Sequence, residues 1–140
     1  MPQHYLYIFK RTNPNAYKVG VSRLPKYRLK EVRKETNYED IHLVAQFKLP
    51  YLPFKFERFI HKRLAPFHFD GEWFLVPLSI LLQEVEHAIF IAEWADTPKK
   101  AVLAMRRILR SSDGMAEILL LKAQKRVSFK SKNKTKVRVL

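Results

Sequence analysis

Three observations predict an α/β (α+β) domain built on a small sheet of about three to four strands, flanked by helices and followed by a helical, basic C-terminal extension. Two neighbouring segments near the start alternate apolar and polar residues with a period of two. Several later segments repeat apolar residues at helical spacing. Of the 140 residues 47% are apolar and 13% aromatic, enough to bury a core without staples.

His4 to Lys10 (HYLYIFK) alternates and is rich in aromatic and β-branched residues; Arg11-Thr-Asn-Pro-Asn15 punctuates it, and Ala16 to Val21 (AYKVGV) alternates again. That pattern predicts a β-hairpin with a long loop. Pro25 suits a first helical turn, and Tyr27, Leu29 and Val32 among charges carry a helix to about Thr36. Ile41 to Leu49 predicts a third strand, closed by Pro50 and Pro53, after which Phe56, Phe59, Ile60 and Leu64 recur at helical spacing. Asp70-Gly71 marks a turn before a short strand, Glu72 to Val76. Ser79 begins a helix with Leu81, Val85, Ala88/Ile89 and Ala92 on one stripe. Thr97-Pro98 signals a capped helix to about Arg110, and Asp113-Gly114 another, ending near Lys125. The expected organisation is one domain over residues 1–96 and a helical, basic extension over 97–140.

Composition excludes several classes. There is no cysteine, which removes disulfides, thiol nucleophiles and Cys-based metal sites and fits a reducing compartment. Three glycines cannot write a dinucleotide or Walker phosphate loop. His4, His42, His61, His68 and His87 lack H-E-x-x-H spacing. The longest charge-free apolar run, Trp73 to Gln83, is far short of the ~18 residues of a spanning helix, and Met1 to Arg11 has no signal-peptide pattern. A soluble intracellular protein is expected, in cytoplasm or nucleoid, or in a eukaryotic nucleus, with no membrane partner.

The formal charge is +14 and lies mostly at the C-terminal end: residues 1–97 hold fourteen basic and eleven acidic side chains, 98–140 thirteen and two. Such a segment attracts a phosphate polymer. Lys99, Arg106 and Arg110 share one face of the 98–110 helix. Lys130, Lys132, Lys134, Lys136 and Arg138 alternate, so an extended chain would space cations ~6.6 Å apart. The expected partner is DNA, duplex or branched, with RNA as the alternative and contacts that carry no base-specific information. A solubilising tail or the docking strand of a basic adaptor are the rival readings.

Tyr7, Lys18, Arg28 and Glu57 are the polar residues that the hairpin and its two helices bring toward one face. In their spacing the first 78 residues resemble the GIY-YIG nuclease family: Tyr5-Leu6-Tyr7 looks like GIY, Lys18-Val19-Gly20 like YIG, with Tyr17 adjacent, and Arg28 falls eight positions after the glycine. Glu57-Arg-Phe-Ile-His61 followed by Gly71-Glu72-Trp73-Phe74 is similar to the phage and large-DNA-virus branch. The resemblance implies a metal-dependent DNA endonuclease. Glu57 would hold one Mg²⁺ (or Mn²⁺), and Arg28 would fork onto phosphate oxygens. Tyr7 would serve as base if Lys18 and Arg28 favour its phenolate, Lys18 would orient water or tune Tyr7, and His61 would donate a proton, contact phosphate or only orient Glu57. Tyr5, Tyr17, Gly20, Glu72 and Trp73 are expected to be structural at the site. One site per chain calls for a dimer, or two visits, to break both strands. A silent nucleic-acid-binding module with the same fold is the alternative.

Overall fold

The computed structural model of the chain describes residues 2–38 and 40–111. The alternating segments form β1 (His4–Arg11) and β2 (Ala16–Ser22), paired antiparallel with Tyr7 opposite Gly20 and Phe9 opposite Lys18. Helix α1 (Pro25–Thr36) starts on proline and ends at Asn37, whose left-handed φ of 59° is a conformation asparagine tolerates. Strand β3 (Ile41–Leu49) pairs with β1, α2 spans Pro53–Arg63, and a single 3-10 turn over Ala65–Phe67 leads into β4 (His68–Asp70) and β5 (Trp73–Phe74). Helices α3 (Leu78–Trp94) and α4 (Pro98–Arg110) follow. The sheet is antiparallel throughout, in the order β3-β1-β2-β5-β4.

The α+β class predicted from sequence is the one found, with five strands where three to four were expected. The extra strand is β4, three exposed residues that no alternation marks. The strand expected over Glu72–Val76 contracts to Trp73–Phe74, because Leu75 turns out to solvent and Pro77 ends the pairing.

A pleat sends successive side chains to opposite faces, so the sheet has two cores. Tyr7, Phe9, Ala16 and Trp73 lie with Leu29 and Val32 of α1 on one side; Leu6, Ile8, Tyr17 and Val19 lie with α2, α3 and α4 on the other. Strand β3 serves both. Its register with β1 slips between Ile8–Ala45 and Phe9–Leu43, one extra residue that reverses the alternation. Ile41 and Leu43 therefore pack under α1, whereas Ala45, Phe47 and Leu49 face the three-helix side. Helix α4, capped by the Thr97 hydroxyl accepting from the Lys100 N–H at 3.2 Å, buries Ala101, Ala104, Met105 and Ile108 in that second core. Among the described residues no helix is long and apolar enough to cross a membrane. The expected 113–125 helix and the alternating tail lie outside the described residues.

Candidate functional site

Two residues make β5, and on β2 they pair with Tyr17 and Lys18 alone. Beyond them the outer edge of β2 is left without a strand partner from Val19 to Val21. Backbone groups there must find other partners, and α2 supplies them. His61 Nε2 lies 2.7 Å from the Val19 carbonyl. A carbonyl only accepts, so Nε2 carries the proton and Nδ1 remains the ring's acceptor in the neutral form. One turn earlier, Glu57 accepts a hydrogen bond from the Val21 N–H. The i,i+4 spacing of Glu57 and His61 thus makes a clamp on an open strand edge.

Tyr7 crosses this place from β1. Its ring is buried, stacks on Phe9 with centroids 4.0 Å apart, and lies over Gly20, where any Cβ would come within 2.2 Å of the hydroxyl. Glycine is required by close approach. Burial pushes the phenol up to about 12; the hydrogen-bonded Arg28 guanidinium pulls the other way, and the Glu72 and Glu57 charges push further up. The expected phenolate is therefore disfavoured, and Tyr7 stands as a neutral phenol at physiological pH. Arg28 reaches it from α1 while held by its own helix, Nη1 donating to Glu31 at 3.2 Å and Glu35 at 3.1 Å. Burial disfavours the guanidinium charge, but Glu35, Tyr7 and Glu31 outweigh that and keep it protonated.

Lys18 shares the Tyr7 face because Lys18 and Gly20 alternate on β2. Its stem is buried and its ammonium donates to Glu72, which the turn through Gly71 places beside it as Trp73 pairs with Lys18. That ammonium holds the Glu72 carboxyl below the usual range. Burial instead raises Glu57, against the nearby His61 charge. Glu72, expected to be merely structural, thus belongs to the cluster: it acts electrostatically on Tyr7 and Glu57 and is acted on by His61 and Arg28. The register of Trp73 on Lys18 is the signal that marks it.

Tyr5 is half-buried on the Tyr7 face, and Trp73 is buried there. Tyr17, one residue from Lys18 on a strand, points to the opposite core, the one in which α2 packs. Lys99, Arg106 and Arg110 are exposed on α4, on the side of the sheet opposite Tyr7 and Lys18. Arg106 lines a shallow cleft of about 210 Å³ with Lys55, Arg58 and Lys62 of α2. Lys130, Lys132, Lys134, Lys136 and Arg138 lie outside the described residues. For a metal the donors are sparse: among the described residues no group of three or more His, Asp or Glu side chains could hold an ion. A hydrated hard cation fits what is there, since Mg²⁺ keeps several waters and takes one or two carboxylates. Glu57 is the carboxylate whose burial an added positive charge would relieve.

A family model described as the T5orf172 domain matches residues 4–95, well over half of the chain. No curated protein and no solved structure matches it. The match corrects the resemblance drawn from the sequence: this family is distinct from GIY-YIG, and no GIY-YIG family model matches. The two strand triplets that suggested it record a narrower physical demand, a buried tyrosine laid over a glycine on the neighbouring strand. T5orf172 domains are commonly nuclease-like or DNA-binding, which is compatible with a function acting on nucleic acid.

Proposed function

From a chain that belongs to the T5orf172 domain family, we propose a metal-dependent nuclease that hydrolyses nucleic-acid phosphodiester bonds at the open edge of β2. The observation that supports this reading is convergence. Tyr7 of β1, Lys18 of β2, Arg28 of α1, Glu57 and His61 of α2 and Glu72 of the β4–β5 turn meet at one sheet edge, within each other's electrostatic reach.

Hydrolysis needs water deprotonated, the charge on a pentavalent phosphorus offset and the departing oxygen assisted. His61, its Nε2–H committed to Val19, is oriented to take the proton of the attacking water at Nδ1. Arg28 offers a pre-held guanidinium to the non-bridging oxygens. Tyr7, neutral, donates a hydrogen bond or its proton to the departing oxygen as the P–O bond breaks. Lys18 holds Glu72 at the rim. Glu57 would hold a divalent ion, Mg²⁺ or Mn²⁺, which would supply charge stabilisation for the phosphoryl group.

A second reading, a binding module without turnover, is favoured by one observation: Tyr7 stays protonated and the Lys18 charge is already met by Glu72. One experiment separates them. Supercoiled plasmid is incubated with Mg²⁺ or Mn²⁺ and the native protein, Glu57→Gln, Arg28→Ala, or native protein with EDTA. Nicked or linear product is expected with native protein alone, and Arg28→Ala should lose about 10²–10³ in rate. Retarded but uncut DNA would select the binding module, and equal cutting by Glu57→Gln would remove the assigned site.

A further inference from the structure

On the far flank of α1 from Arg28 lies a groove of about 700 Å³ between that helix and the β1–β3 edge of the sheet. Its walls carry Lys26, Lys30 and Arg33 from α1 and Lys10 from β1. The three helix positions follow i, i+4, i+7 spacing, so at ~1.5 Å per residue they set a row of cations about 10 Å long. The acids of α1 are engaged elsewhere, Glu31 and Glu35 holding Arg28. The groove's own carboxylate, Asp40, accepts from Thr12, contacts His42 and lies within electrostatic reach of Lys10. Arg33 is anchored, Nε donating to the Ile41 carbonyl at 2.9 Å. Among the described residues no ion pair closes on Lys10, Lys26 or Lys30, and the floor is the apolar Leu29 and Leu43.

We propose that this groove is a docking track for the phosphate backbone of duplex DNA, separate from the cluster at the β2 edge; the proposal rests on the nucleic-acid reading above. A row of about 10 Å spans roughly three phosphates of one strand at ~3.4 Å per nucleotide along the axis. Helix α1 then works with both flanks: Glu31 and Glu35 hold Arg28 at the site, and Lys26, Lys30 and Arg33 receive the backbone one helix width, about 10 Å, further along. Such contacts fix register and carry no sequence preference.

The test is the salt dependence of binding to a fluorescein-labelled 24-base-pair duplex in EDTA, read by anisotropy, so that turnover plays no part. Lys10→Ala/Lys26→Ala/Lys30→Ala should weaken binding and make the slope of log K against log[salt] less negative by about 2.7, at ~0.9 per lost phosphate contact. Lys26→Glu/Lys30→Glu should weaken it further. Lys48→Ala/Lys100→Ala, exposed lysines outside the groove, should leave the slope unchanged, and circular dichroism melting checks that each variant is folded. A native slope in the folded triple variant overturns the groove while leaving the nuclease reading intact. A reduced slope in a protein that never cleaves plasmid keeps the groove and removes the nuclease. A native protein that does not bind duplex removes both.

Discussion

Gly20→Ala tests whether the site depends on a tyrosine lying on bare backbone. The added Cβ would sit 2.2 Å from the Tyr7 hydroxyl and 2.4 Å from Cζ, against an ordinary contact of 3.4 Å or more, so the ring must retreat by over 1 Å. The phenol is the far end of a side chain but not a yielding one: the ring is 2% exposed and stacked on Phe9. Overpacking of this kind costs about 1–3 kcal/mol. For a chain of this size that is a fall of roughly 4–12 °C in Tm, taking about 4 °C per kcal/mol. Cleavage should fall further than stability, because a displaced Tyr7 loses Arg28. The assay is calorimetric melting alongside plasmid nicking below the variant's Tm. Tyr7→Leu/Gly20→Ala should recover most of the melting temperature and none of the nicking. If Gly20→Ala melts within 1 °C of the native protein, the close-approach argument is refuted. Gly71→Ala supplies the contrast: nothing lies within 4 Å of its Cβ, but its φ of +56° costs an alanine about 1–2 kcal/mol, so Gly71→Asn should be milder there.

Glu72→Gln should destabilise more than Lys18→Met, by on the order of 1–3 kcal/mol in urea unfolding, because it strands a buried ammonium whereas the reverse change frees a carboxylate that is 59% exposed. Tyr7 should be missing from the tyrosine absorbance titration between pH 9.5 and 11, appearing near pH 12, with Tyr7→Phe identifying it by difference. The sign follows from a folded value near 12 above an ordinary 10: the stability due to Tyr7 is full below pH 10 and is lost as pH rises through 12. Arg63→Lys should cost about 1–3 kcal/mol, since Nε and Nη2 grip both oxygens of Glu84 at 2.7 and 3.2 Å between α2 and α3, and lysine cannot fork; urea unfolding measures it. Thr97→Ala should remove about 1 kcal/mol by stripping the α4 cap, and Thr97→Gly only a few tenths, measured the same way.

What the sequence disclosed and withheld follows from the range of each interaction. Period-two alternation placed β1, β2 and β3, and Pro25 and Thr97 marked helix starts, because those signals act within a few residues. The same alternation already assigned Tyr17 to the face opposite Lys18, the face on which α2 packs. The face switch of β3 was hidden, since an extra residue in a pairing is a property of two strands and Ile41–Leu49 alone looks uniformly alternating. The site was half legible for the same reason. Tyr7, Lys18, Arg28 and Glu57 could be gathered from strand and helix parity, but what joins them is where β5 begins. A two-residue strand leaves Val19–Val21 uncovered, and that vacancy in the ladder draws Glu57 and His61 onto the backbone. Extending β5 at its N-terminal end by two paired residues would cover Val19 and Gly20, and the cluster would lose its geometry with all six of its side chains still present. The candidate chemistry therefore lies in where a strand begins, which makes Gly71, whose φ of +56° turns the chain two residues before β5, as much a determinant of the site as the charged groups themselves.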